Sequence, residues 1–138
     1  MKRVVITGMG VVSPIGNNVE EVWTNVNQNV CGIDRITHFD PSEYRAKLAG
    51  EVKNLDMEQY FTKRDLKFND RFTQFARIAA KQAYEDSGLQ DVDFDHDRFG
   101  VILGSGIGGI STIEGASQTI ENRGPSRISP YFIPMSLI

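Results

Sequence analysis

The 138 residues, 40% of them hydrophobic and 24% charged, suit one compact domain and exclude a wholly disordered chain. Fifteen Lys and Arg against eighteen Asp and Glu leave a net charge of −3, so no global field draws the chain to nucleic acid. No apolar run reaches the roughly 18–20 residues of a membrane helix, and the apolar stretch after Lys2-Arg3 is too short for a signal peptide. The lone cysteine forms no internal disulfide, and with two histidines it makes a poor zinc inventory. We therefore expect a cytoplasmic α/β domain with no cofactor, no metal, no nucleic-acid partner and no membrane insertion.

In chain order, Lys2 to Thr7 is short and rich in β-formers and runs into Gly8-Met9-Gly10, which predicts a buried strand entering a glycine turn. Pro14 and its flanking glycines make Val11 to Gly16 a loop. Asn18 is a good N-cap, with Glu21 three residues on, and Val19, Val22, Trp23, Val26 and Val30 recur at helical spacing, predicting a helix over 19–28. The segment from Asn29 to Gly50 is turn-rich, with a short strand expected over Ala49 to Val52. The strongest helix is predicted over Asn69 to Ser87. Its apolar face is Phe72, Phe75, Ala79, Ala80, Ala83 and Tyr84; Arg71, Gln74, Lys81 and Glu85 lie off it, and Gly88 is placed to end it in a left-handed conformation. The small alanines in that face imply close packing against a neighbour. An acidic connector, Gln90 to Asp97, leads to a second expected buried strand, Phe99 to Gly104, and then a helix over 110–121, broken at Arg123-Gly124-Pro125.

The motifs are ambiguous taken singly. Gly104-x-Gly106-x-x-Gly109 satisfies the dinucleotide fingerprint between a predicted strand and helix, but no acidic residue closes a second strand about 20 residues on to hold a ribose. Asp91-x-Asp93-x-Asp95 opens like a calcium loop, yet His96 stands where that loop needs glycine and Ile102 where it needs glutamate. Cys31 is the only thiol; His38 and His96 fall in loops, and no nucleophile, base and orienting group form a supported set. Lys63, Arg64, Lys67, Arg71 and Arg77 against Asp65 and Asp70 leave a local positive excess, which is either a solvated helix face or a surface that steers an acidic partner.

Three segments carry a resemblance. Val4-Val5-Ile6-Thr7-Gly8-Met9-Gly10-Val11-Val12-Ser13-Pro14-Ile15-Gly16, Gly104-Ser105-Gly106-Ile107-Gly108-Gly109 and Ile128-Ser129-Pro130-Tyr131-Phe132-Ile133-Pro134 stand in the order found in the β-ketoacyl-acyl-carrier-protein synthases, with Asp86-Ser87-Gly88-Leu89 between the first two. The sequence most closely resembles the type II elongating synthases of bacterial fatty-acid synthesis. That resemblance implies a thiolase-like fold, with residues 1–138 forming the N-terminal part of an α-β-α-β-α layered homodimer, incomplete in this chain. It implies a decarboxylating condensation in which a cysteine takes the acyl group from its carrier and attack follows loss of carbon dioxide from a malonyl-carrier protein. Neither Cys31 nor His38 and His96 match the family's catalytic positions, so these residues alone are expected to be inactive.

Binding positions do carry over. Ile107 matches the residue bounding the acyl channel, and Phe132 and Ile133 match the segment lining the partner subunit's pocket. Arg64 and Lys67 match basic positions facing the acidic acyl carrier protein, acyl- or malonyl-loaded, while Phe68 stands where relatives can carry a further basic residue. The resemblance also places the glycine turn beside the acyl pocket and subunit interface, in place of a nucleotide. Two rivals remain at this stage: a non-catalytic chain-length or interaction module of the same fold, and a nucleotide-binding α/β domain. The apolar ending, Leu137-Ile138, is expected of the front part of something longer or of a chain that relies on a partner.

Overall fold

The structure, a computed structural model, describes residues 3–137. Its residues divide into two compact units, 1–56 with 78–93 and 57–77 with 94–138. Among the described residues the regular elements are five α-helices, several single 3₁₀ turns and one two-stranded antiparallel sheet.

The first unit begins with extended chain. Val4, Val5 and Ile6 are exposed and enter no ladder, so the strand expected from Lys2 to Thr7 does not form; Lys2 itself lies outside the described residues. A strand exists only when a neighbour takes up its amides and carbonyls, and β-propensity cannot supply that neighbour. From Gly8 onward a helix does so instead. Met9 N–H donates to Asp86 Oδ2 at 2.9 Å and Val11 N–H to Gln82 Oε1 at 3.0 Å. Both acceptors stand on α3 (Arg71–Asp86). Two residues of extended chain advance about 6.6 Å and four residues of helix about 6 Å, so alternate amides match side chains at i and i+4. The approach is too close for side chains on the strip: a Cβ at Gly8 would overlap the Ala83 carbonyl oxygen, and one at Gly10 that of Ala79. The alanine face thus does pack closely, as its small residues imply.

Gln82 then continues the path, its Nε2 donating to the Asn17 carbonyl at 2.7 Å. Between these points Ser13 and Gly16 exchange backbone hydrogen bonds around Pro14. Helix α1 (Val19–Asn27) starts at Asn18, whose side chain accepts from Glu21 N–H at 2.8 Å. Glu21 Oε2 accepts from Asn17 N–H, one residue before the cap, so the capping box is offset by one position. An apolar groove of about 840 Å³ lies among Met9, Val11, Val19, Val22, Trp23 and Ala83. Strand β1 (Ile33–Arg35) pairs with β2 (Leu48–Gly50) in the register Ile33↔Gly50, Asp34↔Ala49, Arg35↔Leu48. The strand anticipated over Ala49 to Val52 therefore lies slightly earlier, because Glu51 leaves the ladder. Its carboxylate turns inward, 8% exposed, and accepts from Thr37 N–H, Thr37 Oγ1 at 2.7 Å and His38 N–H.

In the second unit, α2 (Lys63–Phe68) follows a full capping box: Thr62 and Asp65 bond each other's backbone amides. Helix α3, whose residues 71–77 belong to the second unit and 78–86 to the first, corrects the predicted apolar face in three places. Ile78, absent from that face, is the most deeply buried side chain at 1% exposed, while Tyr84 is 41% exposed. Gln74, expected outside, is buried because its amide donates to the carbonyls of Asn69 at 2.7 Å and Leu66 at 3.4 Å. Gly88 does take the left-handed conformation, φ +66°. Phe99 to Leu103 is extended and unpaired, with Ile102 96% exposed, so the second expected buried strand is also absent as a strand. Helix α4 (Ile110–Arg123) forms over the predicted span 110–121 and ends at Gly124, φ +82°. The short α5 (Phe132–Ser136) carries Pro134 in its first turn, where proline's missing amide costs nothing.

Replacing Gln82 by Leu leaves the Val11 amide and the Asn17 carbonyl without their partner, and thermal unfolding should record a loss of about 2 kcal/mol. Acid should act through Glu51. The Thr37 hydroxyl, then the Thr37 amide, hold its carboxyl below the ordinary glutamate value. A depressed folded-state value means that its contribution is present above about pH 4.3 and is lost as pH falls through the lower folded value. Glu51→Gln should flatten that part of an acid-unfolding curve.

Candidate functional site

The candidate binding residues Arg64, Lys67, Ile107, Phe132 and Ile133 fall in the second unit, on α2, the 104–109 turn and α5. The turn is built from glycines for two different reasons. Gly108 sits at φ +75°, a conformation side chains resist, and a Cβ there would lie 2.5 Å from the Ser136 carbonyl oxygen. Gly109 has an ordinary φ, but a Cβ would meet Met135 O at 2.5 Å and Asp70 Oδ2 at 2.8 Å. The pair therefore gives α5 room to lie against the start of α4, and Gly109 N–H donates to Ser136 O at 3.1 Å to fix it there.

This geometry answers the dinucleotide reading. The N-terminus of α4, where a pyrophosphate would lie, already has an anion beside it. The Asp70 carboxylate accepts from Thr112 Oγ1 at 2.5 Å and from Arg71 N–H at 2.5 Å. With the Gly109 amide also engaged, the last glycine of the fingerprint serves steric clearance, while Gly104 and Gly106 have open space where a Cβ would stand.

Phe132 is partly covered and, with Met135, lines a cavity of about 260 Å³ against the small-residue side of α4 (Thr112, Gly115, Ala116, Thr119). Ile107 and Ile133 stand outside that cavity, 69% and 59% exposed. Ile110, Ile113 and Ile120 are exposed along α4, continuing the apolar stripe that begins at Ile107.

The basic cluster is smaller than its sequence count. Arg77 is drawn to Asp65 at 3.5 Å and lies over the Phe61 ring, and Arg71 lies over Phe75. Asp65 is kept ionised first by the Thr62 hydroxyl, then by the Thr62 amide and Arg77. Lys63 and Arg64 are exposed and, among the described residues, have no side-chain partner; Lys67 is exposed with its ammonium 5.5 Å from the Phe68 ring centroid. Helix α2 thus presents three cations to solvent from a six-residue helix braced at both ends. The sequence reading placed no helix at 63–68, although Thr62-x-x-Asp65 is a capping signature.

The remaining candidates do not assemble into a catalytic set. Cys31 is exposed, its thiol bonded to Ile33 O at 3.7 Å; His38 is 4.0 Å from Glu51; and the His96 ring stacks on Phe94. Among the described residues no three His, Cys, Asp or Glu side chains form a metal-sized cluster, and no helix is long and apolar enough to cross a membrane.

Comparison with known proteins supplies what the geometry lacks. Residues 1–137 match the family described as beta-ketoacyl synthase, N-terminal domain. The chain is 49% identical over 134 residues to 3-oxoacyl-[acyl-carrier-protein] synthase 2 of Staphylococcus aureus, covering 97% of this chain and 32% of that protein. It is 43% identical over 137 residues to the protein of the same name from Vibrio cholerae, covering 99% and 33%. The chain therefore spans about a third of the length of the curated relatives it matches. Among solved structures it is similar to the ishigamide ketosynthase/chain length factor, with TM-score 0.74 and 26% identity over 96% of this chain and 33% of that one. It is also similar to AntDE:AntF, a ketosynthase in complex with its type II PKS acyl-carrier protein, with TM-score 0.78 and 24% identity over 99% of this chain and 35% of that one.

Gly109→Ala should drive α5 off the start of α4 and lower stability by about 1–3 kcal/mol, read by thermal unfolding, whereas Gly115→Ala, with open space at its Cβ, should be tolerated.

Proposed function

The chain belongs to the beta-ketoacyl synthase family, and on that premise we propose that it forms the N-terminal part of a 3-oxoacyl-[acyl-carrier-protein] synthase of the type 2 class. Its fold is the thiolase-like α/β arrangement of the ketosynthases it matches. The observation that carries the proposal is identity of 43–49% to synthases of that name across nearly every residue present. In this reading the complete synthase elongates a fatty acyl chain by decarboxylating condensation with a malonyl-carrier protein. Its nucleophilic cysteine and assisting histidines lie beyond residues 1–138, and Cys31, His38 and His96 take no part.

The residues present then bind and shape. Ile107 bounds the acyl channel, and Phe132 and Ile133 line it across a subunit boundary. The exposed Ile107, Ile110, Ile113 and Ile120 stripe supports a homodimer in which a second copy covers that side of α4. Lys63, Arg64 and Lys67 face an acidic acyl carrier protein. A similar ketosynthase has been solved with its own carrier protein, and three unshielded cations on one braced helix suit electrostatic capture. A chain-length or interaction module of the same fold would share these surfaces and differ in lacking the downstream cysteine.

The test is charge reversal. In the complete synthase carrying these residues, Arg64→Glu with Lys67→Glu should weaken binding of the loaded carrier protein about tenfold at low salt, with the difference shrinking as ionic strength rises. Affinity unchanged at every salt concentration would leave α2 as an ordinary solvated face.

A further inference from the structure

Phe68 is the residue of α2 that least suits a charged docking helix, and it is turned inward. Its ring stacks on Tyr131 with centroids 4.2 Å apart and planes tilted by 45°. Behind it the chain is fixed: Asn69 returns its backbone amide and its side chain to Asp65 O at 3.0 and 2.8 Å, and Gln74 holds Asn69 O. Tyr131 is equally constrained, its amide donating to Ser129 Oγ and its carbonyl accepting from Met135 N–H as α5 begins. The ring pair therefore joins two rigid ends. On one side Lys67 is the adjoining residue and Arg64 lies one helical turn earlier; on the other, Phe132 and Ile133 follow at once. The Lys67 ammonium also lies over the Phe68 ring, 5.5 Å from its centroid.

We infer that Phe68 is a positioning residue: its stack on Tyr131 sets the spacing between the cationic helix that receives the carrier protein and the segment that receives the acyl chain the carrier delivers. This rests on the carrier-docking reading above and deepens it. A carrier protein holds its acyl group on a tether of fixed length, so the interval between protein-docking point and channel mouth matters for a carrier-bound substrate. The same acyl group on a small free thioester is indifferent to it. An aromatic contact of this kind carries enough energy to change a docking constant about fivefold without unfolding its surroundings.

The experiment compares acyl transfer in the complete synthase from an acyl-loaded carrier protein and from acyl-coenzyme A bearing the same chain. Phe68→Ala should raise KM for the loaded carrier about fivefold, with kcat and the acyl-coenzyme A reaction unchanged within about twofold. Phe68→Tyr should restore the carrier KM. Tyr131→Ala should reproduce the defect, and the double variant should be no worse than either single one. If Phe68→Ala does not yield folded protein, Tyr131→Ala alone carries the comparison. Equal losses on both substrates, or no loss, would overturn the positioning role. Arg64→Glu with Lys67→Glu, assayed alongside, separates the two levels. A carrier-specific defect there with none at Phe68 removes this inference and leaves the docking reading standing. No defect from the charge reversal removes the docking reading itself.

Discussion

The first unit depends on a helix acting as a strand's neighbour. Gln82 and Asp86, one turn apart on α3, take up the amides of Val11 and Met9, and Gln82 passes on to the Asn17 carbonyl. The match works because helical rise over four residues is close to extended rise over two. It also explains why two glycines alternate with the bonded residues: the backbone must come within reach of amide and carboxylate side chains, and any Cβ pointing at the helix would strike its carbonyls. The loop, α1 and the β1–β2 hairpin are then tied on by short polar links. Asn25 Nδ2 reaches Ile15 O at 2.6 Å, and Asn17 Nδ2 reaches Lys53 O at 2.9 Å. Apolar burial contributes little at this level, since among the described hydrophobic side chains only Phe61 and Ile78 are buried.

The second unit obeys a similar rule with the roles changed. There a carboxylate, Asp70, stands at the head of α4, and two glycines admit the end of α5 beside it. Charge at the helix N-terminus is satisfied internally, so Gly108 and Gly109 serve packing in a place where the sequence pattern alone reads as phosphate binding. Around this centre, α2 keeps its basic side chains outward because its acidic one, Asp65, is consumed by the cap and by Arg77. The positive face thus arises from the way the negative charge is spent as much as from the number of lysines and arginines.

The helices α1, α3 and α4 are readable because their signals are local: the Asn18 cap and apolar period for α1, the apolar period and Gly88 for α3, and the break at Arg123-Gly124-Pro125 for α4. Helix α2 carried an equally local signal in Thr62 and Asp65 but is short, and its apolar period spans too few residues to stand out. The segments Val4–Ile6 and Val101–Leu103 were misread because strand formation is a property of pairs, and their composition describes only one member. Gln74 departs from the predicted face for a related reason: a face assigned by hydrophobicity cannot foresee that an amide will be buried to serve the carbonyls of the preceding turn. At the site, the exposed cations could be picked out from residue type and spacing. The roles proposed for Ile107, Phe132 and Ile133 could not, since two of the three are exposed aliphatic residues and the proposal for them rests on the resemblance.

The contact between Met9 and Asp86 spans 77 positions of chain, and that separation has a consequence for how the protein is made. At roughly 5–20 residues per second, a ribosome that has just delivered Met9 needs roughly 4–15 s more to deliver Asp86. Throughout that interval the strip from Gly8 to Val11 lacks the side chains that take up its amides, while α1 and the hairpin that follows can already close on local contacts. The amides of Met9 and Val11 are thus secured only after α3 has been made. A pause in translation before α3 would lengthen that interval.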